Sequence, residues 1–220
     1  MPLPLTEHEA RRLIVKACRG LSEKGLVAAH DGNISARLPS GYLLVTPSRV
    51  SKADISEDAI LYCGPDGKRI RGKGDVSSEV NLHVTAYRAR PDIRGVVHAH
   101  PATASAFTFA GAEALLSAPV LPEVVARLGA IPAVPYVTPG TPALGAAAEP
   151  FLKTHDAVLL NQHGALTLGK DPWEAYLLME KVEHAAGILK AAFELAGSAE
   201  GVKKLTPAQV ADLLKSYRKH

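Results

Sequence analysis

Apolar residues recur at helical spacing in the first stretch of the chain. Leu13, Ala17 and Leu21 fall four apart, which lines one face of a 3.6-residue helix. Thr6 with Glu9 three residues later forms a capping box at its start, and Gly25 supplies its stop. The pattern then shifts to short β-rich runs. Residues 34–38, 42–46 and 59–63 predict strands, punctuated by Ser40-Gly41, a short helical turn from Ser56, and Gly64-Pro65-Asp66-Gly67. Ser77-Ser78-Glu79 opens a helix that runs to about Arg90, where Pro91 stops it. A strand at 94–101 follows, closed by Pro101, and the small apolar run 102–110 predicts a helix. Six prolines between Pro119 and Pro142 leave few periodic signals, so this stretch reads as an ordered connector with one short strand at 133–137. Residues 141–152 predict a helix, and 156–161 a central apolar strand buried on both faces. Asp171-Pro172-Trp173-Glu174 places Asp at N-cap, Pro at N1 and Glu at N3 of a long helix. Its apolar face, from Leu178 through Ala196, ends at Gly197, and a last amphipathic helix covers 206–217.

Neither repeats nor a linker interrupt the pattern, so residues 1–220 read as one domain. Apolar content of 47% against 21% charged is a globular balance that excludes disorder. The net charge of +3 comes without a Lys/Arg block, so nothing suggests a nucleic-acid partner. Cys18 and Cys63 are too few for a disulfide framework or a cysteine-rich zinc site and suit a reducing compartment. No run of 18 apolar residues occurs and Met1-Pro2-Leu3-Pro4 opens no signal peptide, so a soluble, cytoplasmic protein is expected.

The candidate chemistry centres on Val97-His98-Ala99-His100. Side chains alternate along a strand, so Val97 and Ala99 face one way and both histidines the other. That spacing fits either a polar strand face or two ligands to one metal ion. His163, in Gln162-His163-Gly164, emerges where an apolar strand meets a loop. Together the three histidines make a three-ligand set with a fourth position open, the pattern of a catalytic rather than a structural zinc site. Asp31-Gly32-Asn33 is either a simple hairpin turn or a loop whose glycine admits a ligand to the backbone. Thr46-Pro47-Ser48-Arg49 is a second small-polar loop after a strand. Ser77 and Ser78 suit helix capping, and the same helix start suits an anion. Glu79 lies in that first turn, and His83, one turn on, reads as a packing or hydrogen-bonding residue.

Taken in order, Gly32-Asn33-Ile34-Ser35, Thr46-Pro47-Ser48, Ser77-Ser78-Glu79, Val97-His98-Ala99-His100 and Gln162-His163-Gly164 resemble the class II aldolase/adducin-head superfamily. The resemblance runs from Asp31 through Glu183 and points to its zinc-dependent fuculose-1-phosphate aldolase branch. It implies an α/β, three-layer fold with a central mostly antiparallel sheet flanked by helices, and a homotetramer with sites between subunits. It implies one Zn²⁺ per subunit on His98, His100 and His163, in a site that other divalent metals also suit. Gly32, Asn33, Ser48, Ser77 and Ser78 would cradle a substrate phosphate. Glu79 would be the acid/base and would bind the metal when substrate is absent. The implied reaction is reversible cleavage of a small phosphorylated ketose to dihydroxyacetone phosphate and an aldehyde.

The chain departs from that pattern in two places. Arg49 stands where these aldolases usually carry a glycine that binds phosphate through its backbone, so its side chain either adds to anion binding or crowds the pocket. The connector tyrosine sent into a neighbouring site is replaced by Leu121 or a neighbour, with Glu123 close by, and Tyr217 is the match for the C-terminal tyrosine. Relatives with other chemistry are epimerases, which carry aspartate at the Glu79 position, dehydratases that rely on a connector glutamate, and 3-oxo-tetronate phosphate decarboxylases. A metal-free adducin-head binding module is the remaining alternative.

Overall fold

Short strands with both faces apolar cannot stand alone, and here they pair into one sheet. In the computed structural model, residues 5–217 are described, so Met1-Pro2-Leu3-Pro4 lies outside the described residues. The strands are β1 (Asn33–Arg37), β2 (Leu43–Val45), β3 (Leu61–Cys63), β4 (Arg69–Arg71), β5 (Gly95–Ala99), β6 (Ala133–Val134), β7 (Ala157–Leu160) and β8 (Gly164–Gly169). They run in the order β4-β3-β2-β1-β5-β8-β7-β6. Every pairing is antiparallel except that of β6 with β7.

Helices cover both faces. On one side, α1 (Glu7–Glu23), α3 (Ala102–Phe109) and α7 (Pro172–Ala196) pack with Ile34, Val97, Ala99 and Leu159. On the other, α2 (Val80–Ala89) and α6 (Pro142–Leu152) pack with Val96, Val158, Leu166 and Leu168. Successive strand residues thus alternate between two cores, as the pleat requires. Each fully buried Leu, Ile or Val contributes roughly 1.5–3 kcal/mol, so these cores hold the three layers together far more than the short ladders do. The caps predicted for α1 and α7 are present. Thr6 Oγ1 accepts the Glu9 N–H at 3.2 Å, Asp171 Oδ1 accepts the Glu174 N–H at 2.8 Å, and Gly197 ends α7 at φ 74°.

Several elements differ from the sequence reading. The proline-rich connector holds a helix, α5 (Pro122–Leu128), after the short α4 (Ala114–Ser117), and its strand shrinks to β6. Pro122 sits at the N-terminal turn of α5, where its missing N–H is harmless, and Val124, Val125 and Leu128 are buried. Strands β4 and β8 were not expected. β8 is buried on both faces and flanked by glycines, so it shows no alternation to read. β7 is one strand in from the edge rather than central, and it is buried because β6 and the helices cover it. The helix expected at Ser77 begins at Val80, after a tight turn in which the Val80 N–H reaches the Ser77 carbonyl. The final helix, α8 (Pro207–Tyr217), is as expected.

Candidate active site

Three segments bring the histidines together. His98 lies in β5 opposite Asn33 of β1, on the face covered by α2. His100 follows the end of β5, held by its backbone N–H to the Leu26 carbonyl at 3.0 Å. His163 closes a tight turn between β7 and β8, with its N–H on the Leu160 carbonyl and Gln162 at φ 54°. Gly164 makes this possible. A Cβ there would collide with the Ala99 carbonyl and lie 2.8 Å from His100 Cδ2. Gly32 does the same for the opposite loop: at φ 72°, a Cβ would stand 2.8 Å from the His98 carbonyl.

The donor atoms converge. His98 Nε2 is 3.2 Å from His100 Nε2, and the nearest nitrogens of all three rings lie within 4.8 Å of one another. Glu79, at the start of α2, bridges them with Oε2 at 3.2 Å from His98 Nε2 and Oε1 at 3.2 Å from His163 Nε2. His98 Nδ1 faces the Ala165 carbonyl at 2.9 Å. A carbonyl only accepts, so Nδ1 carries a proton, and Nε2 is the ring nitrogen turned toward the other donors. Burial pulls the His100 pKa below its usual value, and it pushes His163 down to about 4, so both rings are neutral near pH 7. Burial alone would raise the Glu79 carboxyl, but the polar company of His98, His163 and the Asn33 amide overrules it, holding Glu79 well below the usual carboxylate range. Ligand bonds of about 2.0–2.1 Å in a tetrahedral site put neighbouring donors roughly 3.3 Å apart. The 3.2 Å separations match that edge, so these groups could hold a divalent ion.

Beside the histidines lies a cleft of about 150 Å³ lined by Asp31, Gly32, Asn33, Ser48, Ser77, Glu79 and His100, among others. The Asn33 amide nitrogen donates to Glu79 Oε2 at 3.0 Å and to Ser77 Oγ at 3.2 Å. Ser77 Oγ also accepts the Glu79 N–H, so its own hydroxyl hydrogen is left to donate elsewhere. Among the described residues, buried Asn33 Oδ1 has no hydrogen-bond partner, and Asn33 lines this cleft, where a polar guest would satisfy it.

Of the residues singled out from the sequence, His98, His100, His163, Glu79, Gly32, Asn33, Ser48 and Ser77 meet here. The Ser48 backbone N–H is spent on the Asp75 carbonyl at 2.8 Å, so that loop offers a hydroxyl and not this amide. Ser78 is exposed near Gly140, and Arg49 is exposed and does not line the cleft. Arg49 has φ 61°, the left-handed region that favours glycine. Glu123 on α5 and Tyr217 on α8 are exposed and lie outside the cleft of their own chain. His83 is a hydrogen-bonding core residue, as expected, with Nδ1 2.6 Å from Ser35 Oγ. Asp31, read from sequence only as a turn former, places Oδ2 3.4 Å from His100 Nδ1. Nothing in the spacing signals that contact.

A mostly antiparallel sheet between helices, with three imidazoles and a carboxylate converging at strand ends, defines a class of metal-dependent lyases. The chain belongs to the class II aldolase and adducin N-terminal domain family, which matches residues 12–189. It is 33% identical over 168 residues to the 5-methylthioribulose-1-phosphate/5-deoxyribulose-1-phosphate aldolase of Escherichia coli, covering 74% of this chain and 76% of that protein. It is 30% identical over 186 residues to the 3-oxo-tetronate 4-phosphate decarboxylase of Pectobacterium atrosepticum, covering 84% and 85%. The crystal structure of L-fuculose-1-phosphate aldolase from Thermus thermophilus superimposes with a TM-score of 0.74 at 30% identity, over 86% of this chain and 97% of that one. The chain is therefore a class II aldolase-type lyase, a class that uses a divalent metal. Among the described residues no helix is long and apolar enough to cross a membrane.

Proposed function

We propose that this chain is a zinc-dependent aldolase that reversibly cleaves a small ketose 1-phosphate, such as fuculose 1-phosphate, into dihydroxyacetone phosphate and an aldehyde. The observation that carries this reading is the convergence of three imidazoles and an ionised Glu79 beside a hydroxyl-lined cleft. His98, His100 and His163 would hold the ion, and when bound it supplies Lewis-acid stabilisation of negative charge on the substrate oxygens.

The chain's own groups account for the rest. Cleavage breaks the C3–C4 bond, leaves the electron pair on C3, and requires a proton at C3 and loss of the C4 hydroxyl proton. Glu79, held ionised by His98 and Asn33, suits removal of the C3 proton in the condensation direction and its return in cleavage. The free Ser77 hydroxyl and Ser48 suit the phosphate oxygens, with Gly32 leaving room for them. No lysine Schiff base enters this scheme. The C4 proton falls to Glu123 or Tyr217 of a neighbouring subunit in a homotetramer. Support for assembly comes from exposed apolar side chains, with Phe109 63%, Tyr136 57% and Leu195 90% accessible. Buried, unpaired Cys18 and Cys63 suit a reducing cytoplasm.

A decarboxylase is the second reading, supported by the 30% identity to 3-oxo-tetronate 4-phosphate decarboxylase. Loss of carbon dioxide from a 3-oxo acid leaves the same carbon-centred electron pair, which the same residues would serve. Incubating the zinc-loaded chain with a panel of ketose 1-phosphates and 3-oxo acid 4-phosphates separates the two. Release of dihydroxyacetone phosphate and aldehyde from a ketose 1-phosphate is expected. Carbon dioxide release alone would replace the aldolase reading with the other.

A further inference from the structure

Lys52 has no part in the chemistry above, yet it is 1% exposed, an unusual state for a lysine. Its Nζ donates to the His30 carbonyl at 3.0 Å and to the Val50 carbonyl at 3.1 Å. His30 begins the loop that carries Asp31, Gly32 and Asn33 into the cleft, and Val50 follows the loop that carries Ser48. One ammonium group therefore ties together the two loops that form one side of the cleft.

A buried ammonium is costly unless it is partnered. Methionine would fill the same space at no such cost, and glutamine could still donate to a carbonyl. What lysine alone adds is a positive charge. The cleft lining contains two carboxylates, Asp31 and Glu79, and neither Lys nor Arg. Asp31 directly follows His30, whose carbonyl the ammonium holds, so the two charges sit on either side of one loop. An anion entering beside two carboxylates needs a compensating charge, and Lys52 lies directly behind the wall it would meet.

We propose that Lys52 is the positioning residue of the anion subsite: its buried charge offsets Asp31, and its bonds to the His30 and Val50 carbonyls set the spacing of the two loops for a phosphate group. The proposal rests on the reading of the cleft as a phosphate site. A unit charge acting through protein at short range is worth about tenfold or more in anion affinity.

The test is calorimetric binding of inorganic phosphate to the metal-loaded full chain at fixed ionic strength, with metal content checked in each variant. Lys52→Gln, which keeps an amide donor and loses the charge, should weaken phosphate binding about tenfold with metal stoichiometry unchanged. Asp31→Asn, at an exposed position, should tighten it about threefold. A lysine that serves only stability would lower the melting temperature and leave phosphate affinity in the folded variant as it was. Ser77→Ala should also weaken binding, which assigns the anion to the cleft rather than to the metal. Phosphate binding that responds to Ser77→Ala but not to Lys52→Gln would overturn the role of Lys52 alone. Binding indifferent to Ser77→Ala would overturn the phosphate cleft as well. Should Lys52→Gln fail to fold, the sign of Asp31→Asn decides, and weakened or unchanged binding there overturns the proposal.

Discussion

His98 and His83 both project on the α2 side of the sheet and both are buried, at 0% and 1% exposure, but their rings face different company. His98 Nε2 looks at a second imidazole and a carboxylate, each 3.2 Å away. His83 Nδ1 meets Ser35 Oγ at 2.6 Å, and that hydroxyl meets Tyr87 at 2.9 Å. The ring of His83 is neutral, pushed down to about 3 chiefly by burial. His163, in the other cluster, is neutral as well. Neutrality therefore does not distinguish a candidate ligand from a core residue. What distinguishes them is convergence: several ring nitrogens aimed at one point beside an ionised carboxylate, with a cleft that opens on them.

Substitutions should separate the two clusters sharply. His163→Ala should remove both stoichiometric metal, read by elemental analysis, and turnover, while far-ultraviolet circular dichroism stays that of the parent. Full metal content in that variant would break the contrast. Next in size, Glu79→Gln should slow cleavage by at least about 10²-fold, with little change in KM. It should also abolish solvent deuterium exchange at C3 of dihydroxyacetone phosphate. A Glu79 that merely complements a helix start would alter stability by roughly 0.3–1 kcal/mol and leave both rates alone.

His83→Asn should act on stability instead. An unfolded histidine titrates near 6.5, and His83 in the fold near 3. Between those values the unfolded chain binds more protons, so His83 costs stability as pH falls through that window, by up to about 1.4 kcal/mol per pH unit. Urea titrations at pH 7, 6 and 5 should show a shallower acid decline for His83→Asn than for the parent, with metal retained. An unchanged slope would mean that the buried ring is not held neutral. The smallest effect is expected at Arg49. Replacing it by glycine relieves a left-handed backbone at φ 61° and should raise stability by up to about 1 kcal/mol. A loss of stability would show that the arginine side chain has a partner in the assembled protein.

Much of this contrast was legible in the sequence. Alternation along β5 put both histidines on one face, and the small-polar loops before them suggested a ligand site. The same reasoning placed His83 in the core, one turn beyond Glu79. Helices α1 and α7 were legible because caps and periodicity agreed. β8 was not, because a strand buried on both faces between glycines carries no alternation. Asp31 and Lys52 were also missed. A lysine in Ser51-Lys52-Ala53-Asp54 looks like any solvated loop residue, and only the closure of two distant loops around it makes it a buried one. The offset at Ser77 has the same origin, since a tight turn rather than a serine cap starts α2.

The claim on which the rest depends is that the three converging histidines hold a divalent ion required for cleavage. The most direct test strips the purified chain with a chelator, verifies the loss by elemental analysis, and follows cleavage of the ketose 1-phosphate that the substrate panel identifies while zinc is titrated back. Activity should vanish in the stripped protein and return linearly to a plateau at one ion per chain, in the parent and in His83→Asn but not in His163→Ala. Cleavage at the parental rate by the metal-free chain would contradict the account.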